Sequence, residues 1–498
     1  MNVTGANPLA TVPEADAYLK APLVLDVDGS FLTTDLLHES AMAFLRTSPW
    51  ALFLMIWWLF QGKAVLKRKL GERVTLDIDN LPVNQALADY ARSAEQGGRQ
   101  VGLATASDEL IAVRLAKRFP FLSFVIASDG KSNLKGAAKA SALTKRFPDG
   151  FSYAGNCHSD LKVWTQAEAI VLVGCNSSVV RKARLLGKPL EKELPLPRLG
   201  LRGWIKALRL HQWAKNVLVF PPLILGGLAA DPAAWMNALL AFFALGLIAS
   251  ATYLINDLWD IEDDRRHWSK RNRPLASGRM SIKQAVVMVP LALGGGFLLG
   301  AFVGIPVLVV LLAYLILTLA YSISFKRKPI LDAFVLALLF TLRLVLGIAA
   351  VGVTASPWLL VFSMFLFTSL SFAKRQTEVL RMVEKNENAS GKLSGRGYLI
   401  LDAPFILAMG VSSGMASIII MVLYLTQDVM LVDFYANVNW LWGIPAGLFL
   451  WLSRIWMLCQ RSELDDDPVV FAMRDPKSLI LCAGVGAAYG MAWLGVPY

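Results

Sequence analysis

The run Asn256-Asp257-Leu258-Trp259-Asp260-Ile261-Glu262-Asp263-Asp264 closes an apolar stretch long enough to cross a bilayer. A carboxylate in hydrocarbon costs roughly 2.5–3.5 kcal/mol at a helix centre on insertion scales. Five acidic side chains within eight positions also repel one another. A divalent cation relieves both penalties, and Mg²⁺ held by a few carboxylates commonly holds a phosphate as well. On a helix Asn256, Asp260 and Asp264 fall at i, i+4 and i+8, and Asp257 joins Asp260 at i+3, so all four share one broad face. The bland reading is a solvated start to a charged loop. Against it stands the stretch Lys270-Arg271-Asn272-Arg273-Pro274-Leu275-Ala276-Ser277-Gly278, which sets Lys270, Arg271 and Arg273 close behind the acids, as a metal–diphosphate site needs.

The elements that carry these residues are set by composition. Of 498 residues, 55% are hydrophobic and 17% are charged, against about 25% charged in average soluble domains. Part of the chain therefore lives in lipid. The length allows two or three domains. The four cysteines form no CxxC pair and no zinc spacing, so neither a disulfide framework nor a cysteine metal site is expected. The first twenty residues lack the charged start and apolar core of a signal peptide, so the N-terminal region is expected to stay in the cytoplasm.

Residues 1–195 read as a soluble α/β domain, a Rossmann-type parallel sheet with crossover helices. Strands are expected at 22–28, 100–105, 151–155 and 169–173. The stretch 50–60, WALFLMIWWLF, is too short to span and is followed by Lys63, Lys67, Arg68 and Lys69. It reads either as a buried cap helix or as a helix lying on the membrane surface. Residues 191–197 read as the linker to an all-α membrane domain, 196–498. Nine spans are expected there, at about 214–230, 233–255, 285–303, 305–323, 331–352, 357–373, 399–425, 437–457 and 478–496. Pro221-Pro222 and Pro306 put kinks near the start of two of them.

The connections after the second, fourth, sixth and eighth spans carry Lys and Arg, and the alternate connections around 226–231, 304, 354 and 427–439 carry none. That is a positive-inside pattern, which turns the even connections and the N-terminal domain to the cytoplasmic side of an inner membrane. The net charge of +12 is thereby explained by topology, and nucleic acid is excluded as a partner. The acids at the end of the second span also exclude a transporter reading, which places ionisable groups near mid-membrane.

Asn-Asp-x-x-Asp-x-x-x-Asp followed by Lys-Arg-x-Arg-Pro-Leu-Ala-Ser-Gly resembles the UbiA superfamily of membrane prenyltransferases over roughly residues 200–498. The resemblance implies that Asn256, Asp257, Asp260 and Asp264 bind Mg²⁺ and a diphosphate, with Asp257 and Asp260 central to the chemistry. Aromatic prenyltransferases of that superfamily carry a second aspartate pair and a Tyr-Pro-x-x-Lys-Arg stretch leading to Pro-Gln. Here the corresponding stretch runs from Tyr321 through Lys326 and Arg327 to Asp332 without Pro-Gln, and the loop after span six reads Phe-Ala-Lys374-Arg375-Gln-Thr-Glu378. With Leu-Arg-Leu-His211-Gln-Trp-Ala-Lys215-Asn216 before span one, these features resemble the branch of decaprenyl-phosphate phosphoribosyltransferase; Leu210 departs from the proline common there. The resemblance implies transfer of phosphoribose from phosphoribosyl diphosphate to a polyprenyl phosphate. One acidic cluster then serves one Mg²⁺–diphosphate, and cations serve the lipid monophosphate. Lys215, Asn216, Lys270, Arg271, Arg273, Tyr321, Lys326, Lys374 and Arg375 are the candidate substrate-binding residues. Each basic residue also serves topology. Asp332 and Glu378 are candidate partners of the cations or ribose-hydroxyl acceptors. Arg343, inside span five, pairs with either an acid or a phosphate. His211 and His267 read as interfacial polar residues, since an anionic lipid phosphate needs no general base.

In the N-terminal domain Asp26-Val27-Asp28-Gly29-Ser30 resembles the haloacid dehalogenase-like (HAD-like) phosphatases. That resemblance implies Asp26 as nucleophile, Asp28 as general acid/base, Thr105 on the transferring phosphoryl, and Lys139 (or Lys135) as the neutralising lysine. Gly155-Asn156-Cys157-His158-Ser159-Asp160 resembles the metal motif, with Asn156 in place of an aspartate. The implied Mg²⁺ ligands are Asp26, Asp28, Asn156 and Asp160, and the neutral amide weakens the charge on the ion. A phosphatase on the same membrane face suits removal of the 5-phosphate left on a lipid-linked ribose. The competing expectation is an aromatic prenyltransferase that uses a prenyl diphosphate and carries a regulatory or inactive N-terminal domain.

Overall fold

A computed structural model describes residues 19–48, 50–130, 132–196, 199–384, 396–430, 435–464 and 468–496. Six strands form one parallel sheet: β1 (Leu23–Leu25), β2 (Val101–Asp108), β3 (Phe124–Ser128), β4 (Ser152–Gly155), β5 (Ala169–Val173) and β6 (Leu190–Leu194), in the order β3-β2-β1-β4-β5-β6. β1, β4 and β5 are buried along their whole length, as strands of a sheet covered on both faces should be, and β1 and β5 are unbroken apolar runs. The connections hold α1 (Leu36–Thr47), α2 (Ala51–Gln61), α3 (Lys63–Arg73), α4 (Gln85–Gln96), α5 (Glu109–Lys117), α6 (Ala137–Arg146), α7 (Leu161–Trp164) and α8 (Ser177–Arg184); α9 (Leu201–Ala207) follows the sheet. Asp35, Asn84, Asp108 and Asn176 cap α1, α4, α5 and α8 by accepting from first-turn amides.

Two elements correct the sequence expectations here. The expected linker at 191–197 begins inside β6, which pairs with β5. Its acids are not all solvated: Glu191 accepts from Arg99 at 2.5 Å and from the Tyr90 hydroxyl. The apolar stretch 50–60 is not a buried cap helix. Only Ala51, Met55 and Trp58 of α2 are buried, and Trp58 packs on Phe44 with ring centroids 5.4 Å apart.

Downstream lie α10 (Pro221–Leu225), α11 (Pro232–Trp259), α12 (Ile261–Arg266), α13 (Ile282–Val303), α14 (Ile305–Ile323), α15 (Leu331–Val351), α16 (Pro357–Glu384), α17 (Ala403–Tyr424), α18 (Gly443–Gln460), α19 (Pro468–Ala472) and α20 (Pro476–Leu494). Among the described residues eight helices are long and apolar enough to cross a membrane, and they match the second to ninth expected spans. The protein is an integral, multi-pass membrane protein.

The first expected span, 214–230, is not one continuous helix. Residues Leu210–Val219 form a 3-10 stretch, and α10 adds a single short turn. Pro221 and Pro222 have no N–H to close helical bonds to the preceding turn, and Gly227 leaves at φ +74°. Irregular backbone at membrane depth has to be covered by protein. Gly347 of α15 provides the cover: a Cβ there would lie 2.1 Å from the Val219 carbonyl oxygen, so only glycine admits this approach.

The chain divides into two compact units, 1–207 with 254–287, and 208–253 with 288–498. The acidic run and the loop behind it thus belong to the same unit as the sheet. In the first unit the core is built from Leu23, Leu25, Phe31, Leu36 and Leu103 among others. In the second it is built around α11, α14 and α15 (Ala238, Leu245, Leu311, Leu339) and around α16 and α18 (Phe372, Ile455, Trp456).

Candidate functional sites

Asn256 and Asp257 occupy the last turn of α11, Asp260 the break before α12, and Asp264 the body of α12. The helical path persists through the break, since Asp260 N donates to Asn256 O and Asp264 N to Asp260 O, both at 2.8 Å. Asp257 and Asp264 are buried, and both accept from one nitrogen, Arg273 Nη1, at 3.1 and 2.5 Å. Burial, with the charge of Asp257 beside it, pushes the Asp264 carboxyl above its ordinary range against the pull of Arg273. Asn256 and Asp260 are half-buried, while Lys270 and Arg271 stand exposed on the turn Lys270–Asn272. The other two acids face elsewhere: Glu262 and Asp263 pair with Arg46 of α1 at 2.9 and 3.4 Å. Beneath them Arg265, itself buried, donates to Glu39 at 2.7 and 3.0 Å and to the Ala276 carbonyl at 3.1 Å.

Two buried carboxylates already share one cation in Arg273, so their oxygens suit a positive ion at that point. Asp257 and Asp264 fit Mg²⁺ as oxygen donors. Among the described residues no three His, Cys, Asp or Glu side chains converge as a metal-binding group.

In the second unit Lys215 and Asn216 are buried in the 3-10 stretch. Lys215 Nζ lies 5.6 Å from the Phe340 ring centroid. Arg343 donates to neutral groups, the Leu339 carbonyl at 2.6 Å, the Tyr314 hydroxyl at 3.2 Å and Asn216 Oδ1 at 3.3 Å. Arg375 is fully buried and paired with Asp332, 2.7 Å away, and with Glu378. Asp332 also accepts from Tyr398 at 2.6 Å, and Arg396 donates to Tyr321 at 2.7 Å. Arg396 and Tyr398 carry no motif and were not singled out by sequence. Lys326 and Lys374 are half-buried.

The third group lies at the C-terminal ends of the strands, where open parallel sheets bind ligands. Asp26 and Asp28 follow β1, Thr105 and Ser107 lie on β2, Lys139 on α6, and Asn156 and Asp160 follow β4. Lys139 Nζ donates to Asp26 at 2.6 Å and to the Tyr153 hydroxyl at 2.8 Å. Asp28 accepts from Ser107 at 2.9 Å, from Thr105 at 3.4 Å and from the Leu36 amide at 2.8 Å. Asn156 donates to the Asp28 carbonyl at 3.2 Å. Asp160 caps its own turn, accepting from the Asn156 and Cys157 amides at 2.9 and 3.0 Å. Lys139 is buried and Lys135 exposed, and of the two it is Lys139 that donates to Asp26. Burial, reinforced by Asp160 and Asp28, pushes Asp26 up to about 7 although Lys139 opposes it. Burial, then Asp35, raises Asp28 as well. Lys67 of α3, which sequence reasoning missed, donates to the Ala106 carbonyl at 2.6 Å beside these groups, and burial lowers its affinity for protons. Its only sequence signal was membership of a basic helix.

Residues 219–474 match the model of the UbiA prenyltransferase family. The chain is 39% identical over 473 residues to the uncharacterized protein y4nM of Sinorhizobium fredii, covering 95% of this chain and 91% of that one. It is 30% identical over 312 residues to the nodulation protein NoeC of Azorhizobium caulinodans, covering 60% of this chain and 94% of that one. Over 184 residues it is 36% identical to the decaprenyl-phosphate phosphoribosyltransferase of Corynebacterium glutamicum, covering 36% of this chain and 55% of that one. The apolar helices, the acidic turn at the end of α11 and these matches identify the chain as a membrane transferase belonging to the UbiA prenyltransferase family.

Proposed function

We propose that the protein transfers phosphoribose from phosphoribosyl diphosphate to a polyprenyl phosphate at the cytoplasmic face of an inner membrane, and that its sheet domain is a HAD-like phosphatase acting on the product. The observation that carries the transferase reading is the pair of buried carboxylates, Asp257 and Asp264, drawn to one cationic point. The similarity to decaprenyl-phosphate phosphoribosyltransferase supports the choice of substrates. Mg²⁺, when bound by Asp257, Asp264 and their neighbours Asn256 and Asp260, neutralises charge on the leaving diphosphate. An oxygen of the lipid phosphate attacks the ribose C1 carbon, and the C1–oxygen bond to diphosphate breaks with its electron pair on the leaving oxygen. The nucleophile is already anionic and no base has to take a proton. Lys215, Asn216, Tyr321, Lys326 and Lys374 are the proposed lipid-phosphate and ribose contacts, and Lys270, Arg271 and Arg273 the proposed donor contacts; Arg375, fully buried and paired with two acids, is proposed to position its neighbours rather than to touch substrate. Asp332 and Glu378 hold Arg375 rather than substrate.

In the sheet domain the proposed sequence is attack by Asp26 on phosphorus, proton delivery by Asp28 to the departing ribose oxygen, and hydrolysis of the aspartyl phosphate by water. A raised Asp28 suits a group that must carry a proton. Thr105 and Lys139 are the proposed phosphoryl holders. Asp26, Asp28, Asn156 and Asp160 are the proposed oxygen donors for a second Mg²⁺, which would supply charge neutralisation at phosphorus.

The test is incubation of the purified protein with radiolabelled phosphoribosyl diphosphate, Mg²⁺ and a polyprenyl phosphate, followed by lipid extraction. Label in the lipid phase supports the reading. Label that stays aqueous, with product formed from a prenyl diphosphate and 4-hydroxybenzoate, replaces it with aromatic prenyl transfer.

A further inference from the structure

The least explained surface of the sheet domain is α2. Its inward stripe is short, Ala51, Met55 and Trp58, and packs through Trp58 on Phe44 and under the Arg73 guanidinium, 4.6 Å from the ring centroid. Every other position from Leu52 to Phe60 is also apolar and is exposed: Phe53 is 64%, Trp57 63% and Phe60 86% accessible, with Leu52, Leu54, Ile56 and Leu59 between them. Trp50 at its start is exposed as well. A helix apolar all round needs cover on all sides, and an exposed apolar patch of this kind marks a protein or membrane contact.

Three observations on the same unit choose the cover. First, α2 follows α1 after a short connection, and Arg46 near the end of α1 is paired with Glu262 and Asp263. Those acids lie a few residues beyond Trp259, where the membrane-crossing α11 ends. The start of α2 is therefore tethered to the point where a span leaves the hydrocarbon. Second, α2 runs directly into α3, which adds the exposed Lys63 and the partly exposed Arg68 and Lys69 against a single acid, Glu72, while Lys67 turns to the Ala106 carbonyl and Arg73 to the Trp58 ring. Apolar bulk followed by basic charge is the pattern that anionic headgroups favour. Third, Trp50 and Trp57 lie on the uncovered side, and tryptophan is the residue type that settles at the membrane–water boundary.

We propose that α2 lies in the headgroup layer of the bilayer, its outer face of Phe53, Trp57 and Phe60 inserted among lipids, so that the sheet domain rests on the membrane through its own contact as well as through the chain. The helix spans only Ala51–Gln61, half the length needed to cross, so it lies in the plane rather than across it. This contact is independent of what either site catalyses.

The test uses the full chain reconstituted in vesicles of phosphatidylcholine and phosphatidylglycerol. Exposed Cys157 and Cys482 are replaced by Ser, and one environment-sensitive fluorophore is attached through Phe53→Cys, Trp57→Cys or Phe60→Cys, with Lys145→Cys on α6 as the control. The expected result is a blue-shifted emission at 53, 57 and 60 and loss of fluorescence to lipids carrying a shallow nitroxide, with neither change at 145. A second variant, Phe53→Glu with Trp57→Glu and Phe60→Glu, spares the buried stripe. A reporter at Leu54→Cys in that background is expected to lose its lipid quenching while the thermal unfolding of the chain in detergent is retained. Emission at 53, 57 and 60 that ignores lipid-borne nitroxide overturns the proposal. So does protection that depends on protein concentration, which would assign the face to a second copy, and so does quenching at Leu54 that survives the three glutamates.

Discussion

Replacing Arg265 with Met isolates the strongest contact between the acidic loop and the sheet domain. Arg265 makes two hydrogen bonds to Glu39, at 2.7 and 3.0 Å, and one to the Ala276 carbonyl at 3.1 Å, and both charged side chains are at most 5% exposed. Methionine fills most of the volume but leaves the Glu39 carboxylate buried, with the Thr34 hydroxyl at 2.5 Å to hold it. Removing one partner of a buried ion pair costs about 3–5 kcal/mol, because the other charge is stranded. That is a large fraction of the roughly 5–15 kcal/mol by which whole domains are stable. The unfolding equilibrium of the sheet-containing unit should move by a factor of about 100 or more, at 1.4 kcal/mol per tenfold. Adding Glu39→Leu removes the stranded charge, so the double variant should be more stable than the sum of the single ones by about 1–3 kcal/mol. The assay is urea-dependent pulse proteolysis of the full chain in detergent, following an N-terminal tag. Strictly additive single and double variants, or an Arg265→Met variant within about 1 kcal/mol of the parent, would refute the assignment of this pair as the clamp.

Asp257→Asn and Asp264→Asn should each lower the proposed phosphoribosyl transfer by about 100-fold or more without loss of helical content; near-normal release of diphosphate would remove these carboxylates from the site. Asp26→Asn should leave transfer intact and accumulate the phosphorylated lipid on thin-layer chromatography, and an unchanged product ratio would reject a phosphatase role. Gly347→Val drives a side chain into the Val219 carbonyl, so a loss of about 1–3 kcal/mol is expected, read as a lower melting temperature in detergent. For Glu191, burial favours the neutral acid, but hydrogen bonds from Arg99 and Tyr90 outweigh it and hold the carboxyl below its usual range. Its contribution is complete above the unfolded value of about 4.3 and is lost as pH falls through the folded one. Glu191→Gln should therefore flatten stability below pH 4.3, and an unchanged acid slope would count against the pair.

Much of this architecture was legible because periodicity and charge are local signals. β1 and β5 are unbroken apolar runs ended by Asp26 and Gly174, β2 and β4 are short buried stretches that end at Asp108 and Gly155, and eight spans announced themselves by length and apolar content. β6 was not legible, because Leu-Glu-Lys-Glu-Leu is charged and is placed in the sheet by β5 and by Arg99, 92 residues away. The segment 214–230 misled because hydropathy reports burial and not helical continuity; its prolines and the approach of Gly347 decide the backbone. At the candidate sites, i+3 and i+4 spacing placed Asp257 and Asp264 together, but nothing local foretold that Glu262 and Asp263 would turn to Arg46, 216 and 217 residues earlier. Lys67 and Arg396 escaped for the same reason: their neighbours come from distant segments.

Because residues 254–287 fold with the sheet while the helices on either side fold with the rest of the membrane bundle, the gene has no clean cut near codon 196. A transplant that exchanges the N-terminal half between relatives would separate Glu39 from Arg265 and Arg46 from Glu262, so a working chimaera has to carry the loop from Ile261 to Met280 along with its sheet. Selection meets the same constraint, and substitutions in α1 should be answered by substitutions more than two hundred positions downstream.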